Sequence, residues 1–132
     1  MKNKAKYAPI VIFSYNRLLH LKKTIINLKQ NDISKYSSLI IFSDGPKSIS
    51  DKIKIKEVRQ YIRSIKGFKD IKCVNRKINL GLSKNIITGL NIVFKKYERA
   101  IILEDDILVD QFFLNYMNEG LSLYRRDKRI AS

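Results

Sequence analysis

The sequence is poor in the residue types that most often carry nucleophilic or thiol chemistry. Its single cysteine, Cys73, cannot form an internal disulfide and falls within a predicted strand, so we expect a core residue and a reducing environment. Its single histidine, His20, falls in the early turns of a predicted helix, where we expect it at the surface. The sequence therefore offers no convincing Ser-His-Asp or Cys-His catalytic set.

Long apolar runs and glycine-rich phosphate loops are also missing. No apolar run approaches the ~18–20 residues of a membrane span. The basic N-terminus leads into a strand-like run, not into the apolar segment and cleavage site of a signal peptide. The sequence contains neither Gly-x-x-x-x-Gly-Lys-Ser/Thr nor a Gly-x-Gly-x-x-Gly after its first strand, which excludes a P-loop and disfavours a nicotinamide Rossmann site.

Acidic residues are scarce, with 12 Asp and Glu against 27 Lys and Arg, which gives a formal net charge of +15. The lysines are scattered over predicted helix surfaces and are not interleaved with aromatic residues as in a single-strand nucleic-acid binder. We therefore expect a solvated basic surface that also favours anionic lipid, and we consider nucleic-acid binding the weaker interpretation.

The 132 residues, 45% of them hydrophobic and 30% charged, predict one globular domain spanning 1–132. Apolar runs and helical spacings predict an α/β fold of βαβαβαβα order, with a Rossmann-like, mostly parallel sheet and helices on both faces. Residues 129–132 resemble the start of a further strand, so we expect the chain to be the front part of a larger fold. The predicted strands are Pro9–Ser14, Ser38–Ser43, Ile71–Val74 and Ala100–Leu103, and the predicted helices are about 18–28, 51–65, 83–95 and 112–124.

The most informative stretch is 100–106, in which an apolar run leads directly into Glu104, Asp105 and Asp106. The run has the composition of a strand buried on both faces. Three adjacent carboxylates repel one another unless they are solvated or neutralised, and Mg²⁺ or Mn²⁺ would suit them. Taken alone, the same residues are equally compatible with a solvated acidic turn that binds nothing.

Polar residues also follow the other predicted strands, at 14–17, 43–45 and 75–76, and Gly81, Ser83 and Lys84 open the third helix. The carboxyl ends of parallel strands meet at one edge of a sheet, where open α/β folds bind their ligands. A crevice with both carboxylates and cations at that edge would suit a nucleotide diphosphate.

Four motifs in this order resemble a GT-A glycosyltransferase, of the N-acetylglucosaminyltransferase I type and its family-2-like relatives. They are PIVIFSYNR at 9–17, FSDG at 42–45, NLGLSKN at 79–85 and ILEDDILVDQFF at 102–113. The resemblance covers about residues 8 to 131, and the Glu-Asp-Asp run corresponds to the Asp-x-Asp motif of that family. It implies a GT-A fold and a part that binds a nucleotide-sugar, with a UDP-sugar as the expected donor.

The resemblance also implies a role for each matching residue. Arg17 and Asp44 would lie around the uracil, with a helix-start cation and a Gly-Pro turn residue as the respective structural alternatives. Lys84 would flank the diphosphate, a weaker correspondence. Glu104 would position the nucleotide, Asp105 would contact the ribose or donor sugar, and Asp106 would bind Mn²⁺ or Mg²⁺.

The implied reaction is an inverting sugar transfer to a glycan or glycolipid acceptor, as in polysaccharide biosynthesis at the cytoplasmic face of the membrane. The acceptor base would come from beyond this chain, which makes activity of the chain alone doubtful. We assign no catalytic base, because Asp110, Glu119 and Asp127 are the only acids after the motif and we expect them at a helix start or surface. Two alternatives stay open, a non-catalytic basic α/β interaction module and a phosphoacceptor receiver-like domain.

Overall fold

The computed structural model of the protein describes residues 6–126, in which strands and helices alternate along the chain. The predicted βαβαβαβα order is confirmed, while the predicted strand start at 129–132 lies outside the described residues. A 3-10 turn, Asp32–Tyr36, fills the predicted break after the first helix. The elements are β1 Ile10–Ser14, α1 Leu18–Lys29, β2 Ser38–Ser43, α2 Ile49–Ser64, β3 Asp70–Asn75, α3 Leu82–Lys96, β4 Ile101–Glu104 and α4 Phe113–Arg126.

The four strands form one parallel sheet of order β3-β2-β1-β4. Every residue of β1 is buried, because this run of branched and aromatic side chains lies between two neighbouring strands and under helices on both faces. In register, Ile10 is opposite Leu39 of β2 on one side and Ile101 of β4 on the other. The order of strands therefore reverses between β1 and β4, and this is the topological switch point of the sheet.

The strand order bears on one of the alternatives that the sequence left open. Flavodoxin-like domains, the class to which receivers belong, have the order 2-1-3, with the third strand beside the first. Here β3 lies outside β2, and β4 occupies the other side of β1. The chain has the 3-2-1-4 order of a Rossmann-like sheet, which disfavours the receiver-like alternative.

Helices cover both faces of the sheet, as predicted. Side chains alternate along a strand, so Ile10 and Ile12 point to one face while Val11 and Phe13 point to the other. The first face packs against apolar residues of α1, α2 and α4, and the second face packs against α3. Each face therefore has its own buried apolar cluster.

The prediction that the strand at 100–103 is buried on both faces is wrong for one face. Ile101 and Leu103 are buried, but Ile102 is 43% exposed. The reason is that β4 is an edge strand of the described sheet, and α3 packs over β1 and β2. An apolar run does not reveal which strand of a sheet lies at the edge.

Of the two residues that the sequence singled out by their rarity, His20 lies at the surface as expected, and Cys73, expected in the core, is half-buried at its edge. His20 is exposed on α1. Cys73 packs against the first apolar cluster, and burial raises the pKa of its thiol from 9.0 to about 11, so the protonated, unreactive form predominates. Within residues 6–126, no helix is both long and apolar enough to cross a membrane.

Helix α3 lies close to the sheet at Gly89. A Cβ atom at this position would lie 2.7 Å from Cε1 of Phe13 and 3.1 Å from Cγ of Phe42. The two rings are themselves stacked, with centroids 5.4 Å apart, so neither can move without disturbing the other. The absence of a side chain at Gly89 thus sets the distance between α3 and the sheet.

We expect Gly89→Ala to lower the free energy of unfolding by about 1 kcal/mol, because overpacking outweighs the gain in helix propensity. Gly120→Ala is the matched control, since a Cβ there meets no atom within 4 Å. It should raise stability by about 0.5–1 kcal/mol through helix propensity alone. Urea denaturation measures both, and equal shifts in the two variants would contradict the close approach at Gly89.

Candidate functional site

A crevice of about 300 Å³ opens at the carboxyl ends of β1, β2 and β4, beside the switch point of the sheet. Four of the predicted site residues line it: Arg17, Asp44, Glu104 and Asp105. Three further residues of different chemistry, Tyr15, Lys47 and Asn79, belong to the same walls. The predicted meeting of strand ends is therefore observed for β1, β2 and β4, whereas Asn75 and Arg76, at the end of β3, do not line the crevice.

The acidic end of the crevice is organised by one guanidinium. Nη2 of Arg17 lies 2.6 Å from Oδ1 of Asp105 and 3.7 Å from Oδ2 of Asp106. The Asp105 side chain is only 5% exposed, so its charge needs the partner that Arg17 supplies. The Arg17 side chain is 45% exposed and keeps donors available toward the crevice.

The backbone of the acidic loop is held by helix α1. The buried Thr24 hydroxyl is shared between the carbonyl oxygens of Asp105, at 3.0 Å, and Ile107, at 2.9 Å. The hydroxyl lies on the same helix that follows Arg17. Helix α1 therefore positions both the main chain and the charge of the acidic loop.

The Asp44 carboxylate is fully occupied by donors of the protein itself. Oδ1 accepts from the backbone N–H of Gly45 and of Leu80, each at 2.8 Å. Oδ2 accepts from the backbone N–H of Gly81 at 3.1 Å and from the Asn79 side-chain amide at 3.3 Å. A carboxylate has about four lone-pair directions. Asp44 thus fixes the loop that opens α3, and its contact with a base stays a prediction.

Tyr15 lines the crevice in an orientation that α2 determines. Its hydroxyl donates to the Asp51 carboxylate, which also accepts from Asn16 at 3.0 Å and from the backbone N–H of Lys47 at 3.1 Å. Burial, then the hydrogen bond to Asp51 and its charge, raises the pKa of Tyr15 from 10.0 to about 12. The same hydrogen bonds lower the pKa of Asp51. Nothing in the sequence around Asp51 indicates a contact with a tyrosine that precedes it by 36 residues.

Arg59 is a second residue that sequence reasoning missed. Nε donates to Oγ of Ser43 at 2.9 Å, and Nη2 donates to the carbonyl oxygens of Ser43, Asp44 and Arg76 at 3.2, 3.2 and 2.7 Å. Burial lowers its pKa. One side chain of α2 thus ties together the ends of β2 and β3. The sequence does not indicate this role, because Arg59 lies in the middle of a charged helix and is distant in sequence from both strand ends.

The remaining predicted residues lie at or outside the mouth of the crevice. Asp106 is exposed and does not line the crevice, but its carboxylate forms an ion pair with Arg17, which does. Lys84 is exposed on the first turn of α3 and does not line the crevice, whereas Lys47 does. The predicted contact of Lys84 with a diphosphate stays a prediction. Inside the crevice, the buried Ser14 hydroxyl has no hydrogen-bond partner among the described residues.

The carboxylates fit a divalent metal only together with a ligand. Residues 6–126 contain no group of three or more His, Cys, Asp or Glu placed to hold a metal ion. Mg²⁺, however, is commonly bound by one or two carboxylates together with waters and substrate phosphates. The exposed Asp106 carboxylate suits that arrangement, whereas Asp105 is already paired with Arg17.

The two described acids that follow the motif, Asp110 and Glu119, lie where they were expected. Asp110 is exposed and accepts from the backbone N–H of Phe112 at 2.9 Å, at the start of α4. Glu119 is exposed on α4, and Asp127 lies outside the described residues. No catalytic base is assigned. Comparison of the chain with protein-family models and with curated proteins finds no match.

The raised pKa of Tyr15 predicts a pH dependence of stability. The folded state keeps the phenol protonated to about pH 12, whereas the unfolded chain loses the proton near 10.0. The stabilisation is therefore complete below pH 10 and is lost between pH 10 and 12. We expect the difference in urea midpoint between the wild type and Tyr15→Phe to shrink across that window. Tyr116→Phe, at an exposed phenol, is the control, and a constant difference for Tyr15→Phe would contradict the assignment.

The saturated carboxylate of Asp44 predicts a structural effect of its substitution. Asp44→Asn replaces two acceptor positions by an N–H₂ group that faces N–H donors, and we expect a loss of about 2–3 kcal/mol. Amide exchange at Leu80 and Gly81 should accelerate with it. Asp70→Asn, at an exposed carboxylate on β3, is the matched control. Unchanged exchange at both amides would show that Asp44 does not hold this loop.

Proposed function

We propose that this chain is the donor-binding domain of a metal-dependent GT-A glycosyltransferase, which binds a nucleotide-sugar, with UDP-sugar as the expected donor. The observation that carries the proposal is the convergence of Arg17, Asp44, Glu104 and Asp105 on one crevice at the β1/β4 switch point. These residues come from three of the four motifs that carry the resemblance. Arg17 and Lys47 supply cationic groups, and Glu104, Asp105 and Asp106 supply carboxylates.

The crevice offers different chemistry to different parts of such a donor. Tyr15, Phe13 and Leu82 present apolar surface on which a nucleotide base can lie. Asp105, with its charge balanced by Arg17, retains acceptor positions for sugar hydroxyl groups. Arg17 and Lys47 can each donate to phosphate oxygens.

Transfer breaks the bond between the anomeric carbon and the diphosphate, and forms one to the acceptor oxygen. The leaving diphosphate takes the electron pair of the broken bond, and the acceptor hydroxyl loses its proton. A divalent cation held by Asp106 and the phosphates would act as a Lewis acid that stabilises the leaving group. Arg17 adds fixed positive charge at the same end of the crevice, already oriented by Asp105 before a donor enters.

We assign no residue of this chain to the binding or activation of the acceptor. From the family resemblance we infer that the acceptor is a glycan or a glycolipid. From the resemblance and the net charge of +15 we infer that the glycan is assembled at the cytoplasmic face of a membrane. The alternative is a basic α/β module without catalysis. UDP binding that depends on Mn²⁺ distinguishes the two, because a module of that kind would have no nucleotide-sugar site.

Calorimetry with UDP, with and without Mn²⁺, tests the proposal on the chain itself. We expect Mn²⁺ to strengthen UDP binding. With Mn²⁺ present, Asp106→Ala should weaken UDP binding about tenfold, because it deletes the exposed carboxylate ligand. Glu119→Ala is the matched control, since it removes one exposed carboxylate from α4.

Two results would overturn the proposal. One is an absence of UDP binding by the folded chain, and the other is equal Mn²⁺ dependence in the wild type and Asp106→Ala. Binding without hydrolysis or transfer of the sugar would support a donor-binding domain that needs further chain for catalysis.

A further inference from the structure

The outer surface of α2 combines exposed cations with exposed aliphatic side chains. Ile49 and Ile53, one helical turn apart, are 79% and 63% exposed. Lys52 and Lys56 lie beside them and are also exposed, and Arg63 continues the same side of the helix. We call these five residues the basic face of α2. From Lys52 to Arg63 it extends about 16 Å along the helix.

A concave site borders the basic face of α2. A cavity of about 290 Å³ lies between this helix and the loops that carry Pro46 and Lys77. Five of its seven lining residues are cationic and none is acidic. Arg59 forms part of the cavity wall, and its guanidinium donates to backbone carbonyl groups. The other four cations of this cavity form no such hydrogen bond in the described structure; they are Lys52, Lys56, Arg63 and Lys77.

The carboxylates of α2 do not neutralise this surface. Asp51 accepts from Tyr15, Asn16 and Lys47 on the side of the crevice. Glu57 is exposed but does not line the cavity. Among the described residues of α2, none takes part in an ion pair. The cations of the basic face of α2 are therefore available to an external anion.

We propose that the basic face of α2 docks the protein onto an anionic lipid bilayer, with phospholipid headgroup phosphates in the cationic cavity and Ile49 and Ile53 in the interfacial region. Helices that lie in a membrane interface combine lysine and arginine with exposed apolar side chains in this way. A surface for single-stranded nucleic acid would favour aromatic side chains that stack on bases, and the cavity contains none. Exposed isoleucines have no such role on a phosphate backbone.

The docking surface adjoins the crevice. Asp51, in the first turn of α2, contacts Tyr15 in the crevice wall, and Pro46 and Lys47 connect β2 to this helix. A bilayer bound at the basic face of α2 would therefore lie next to the crevice mouth. The membrane proposal itself does not rest on the proposed function, because it is tested without any nucleotide.

Vesicle flotation with phosphatidylcholine alone, and with phosphatidylcholine mixed with phosphatidylglycerol, tests the proposal. We expect binding to the anionic vesicles only, and weaker binding as the salt concentration rises. Each basic residue near an anionic surface contributes about 1 kcal/mol, so Lys52→Glu/Lys56→Glu should weaken binding about 30-fold or more. Ile49→Ser/Ile53→Ser should weaken it about tenfold through loss of apolar insertion.

Lys69→Glu/Lys95→Glu is the matched control, because both lysines are exposed and each double variant changes the net charge from +15 to +11. It should retain most of the binding. An equal loss in both charge variants would overturn the proposal, since net charge alone would then explain the attraction. Circular dichroism verifies that all variants fold.

Competition experiments distinguish a site for lipid headgroup phosphates from a site for free inorganic phosphate. Inorganic phosphate should weaken vesicle binding no more than sodium chloride at equal ionic strength, because it cannot replace the contacts of Ile49 and Ile53. Stronger displacement by inorganic phosphate than by sodium chloride would indicate a site for a free anion and would overturn the proposal. Tighter binding of a short DNA duplex than of anionic vesicles at equal salt would overturn it in favour of nucleic acid.

Discussion

The Asp44 carboxylate is the constraint on which the crevice depends. It joins the end of β2 to the loop before α3 through four donors from Gly45, Asn79, Leu80 and Gly81. Gly81 has a φ of 82°, so glycine suits this position, and its N–H reaches the carboxylate just as α3 begins. One charge therefore determines where α3 starts and where one wall of the crevice lies.

The sheet topology explains why the other wall forms where it does. The chain leaves β1 through α1 on one face and reaches β4 through α3 on the other, so the two connections diverge beyond the strand ends. The gap between them receives Arg17 from one strand end and Asp105 from the other. Their ion pair forms part of the wall of the crevice, whose volume is about 300 Å³.

The sequence predicted the elements of the fold and the meeting of the strand ends, since both follow from local periodicity and from parallel strands ending at one edge. It did not predict the exposure of Ile102, because the residues of a strand do not indicate whether that strand lies at the centre or at the edge of its sheet. Nor did it predict the contacts of Tyr15 with Asp51 or of Arg59 with Arg76. Those contacts depend on how α2 packs, and residues on a charged helix show no local sign of a distant partner.

The shared hydroxyl of Thr24 has a mechanical consequence. Because it binds the main chain on both sides of Asp106, at Asp105 and Ile107, the acidic loop has no hinge of its own near α1. Any ligand that pulls on Asp106 pulls on α1 as well, and α1 is anchored by Leu21, Ile25 and Leu28 in the core. The Thr24 hydroxyl therefore couples the acidic loop directly to a helix that is itself fixed in the core.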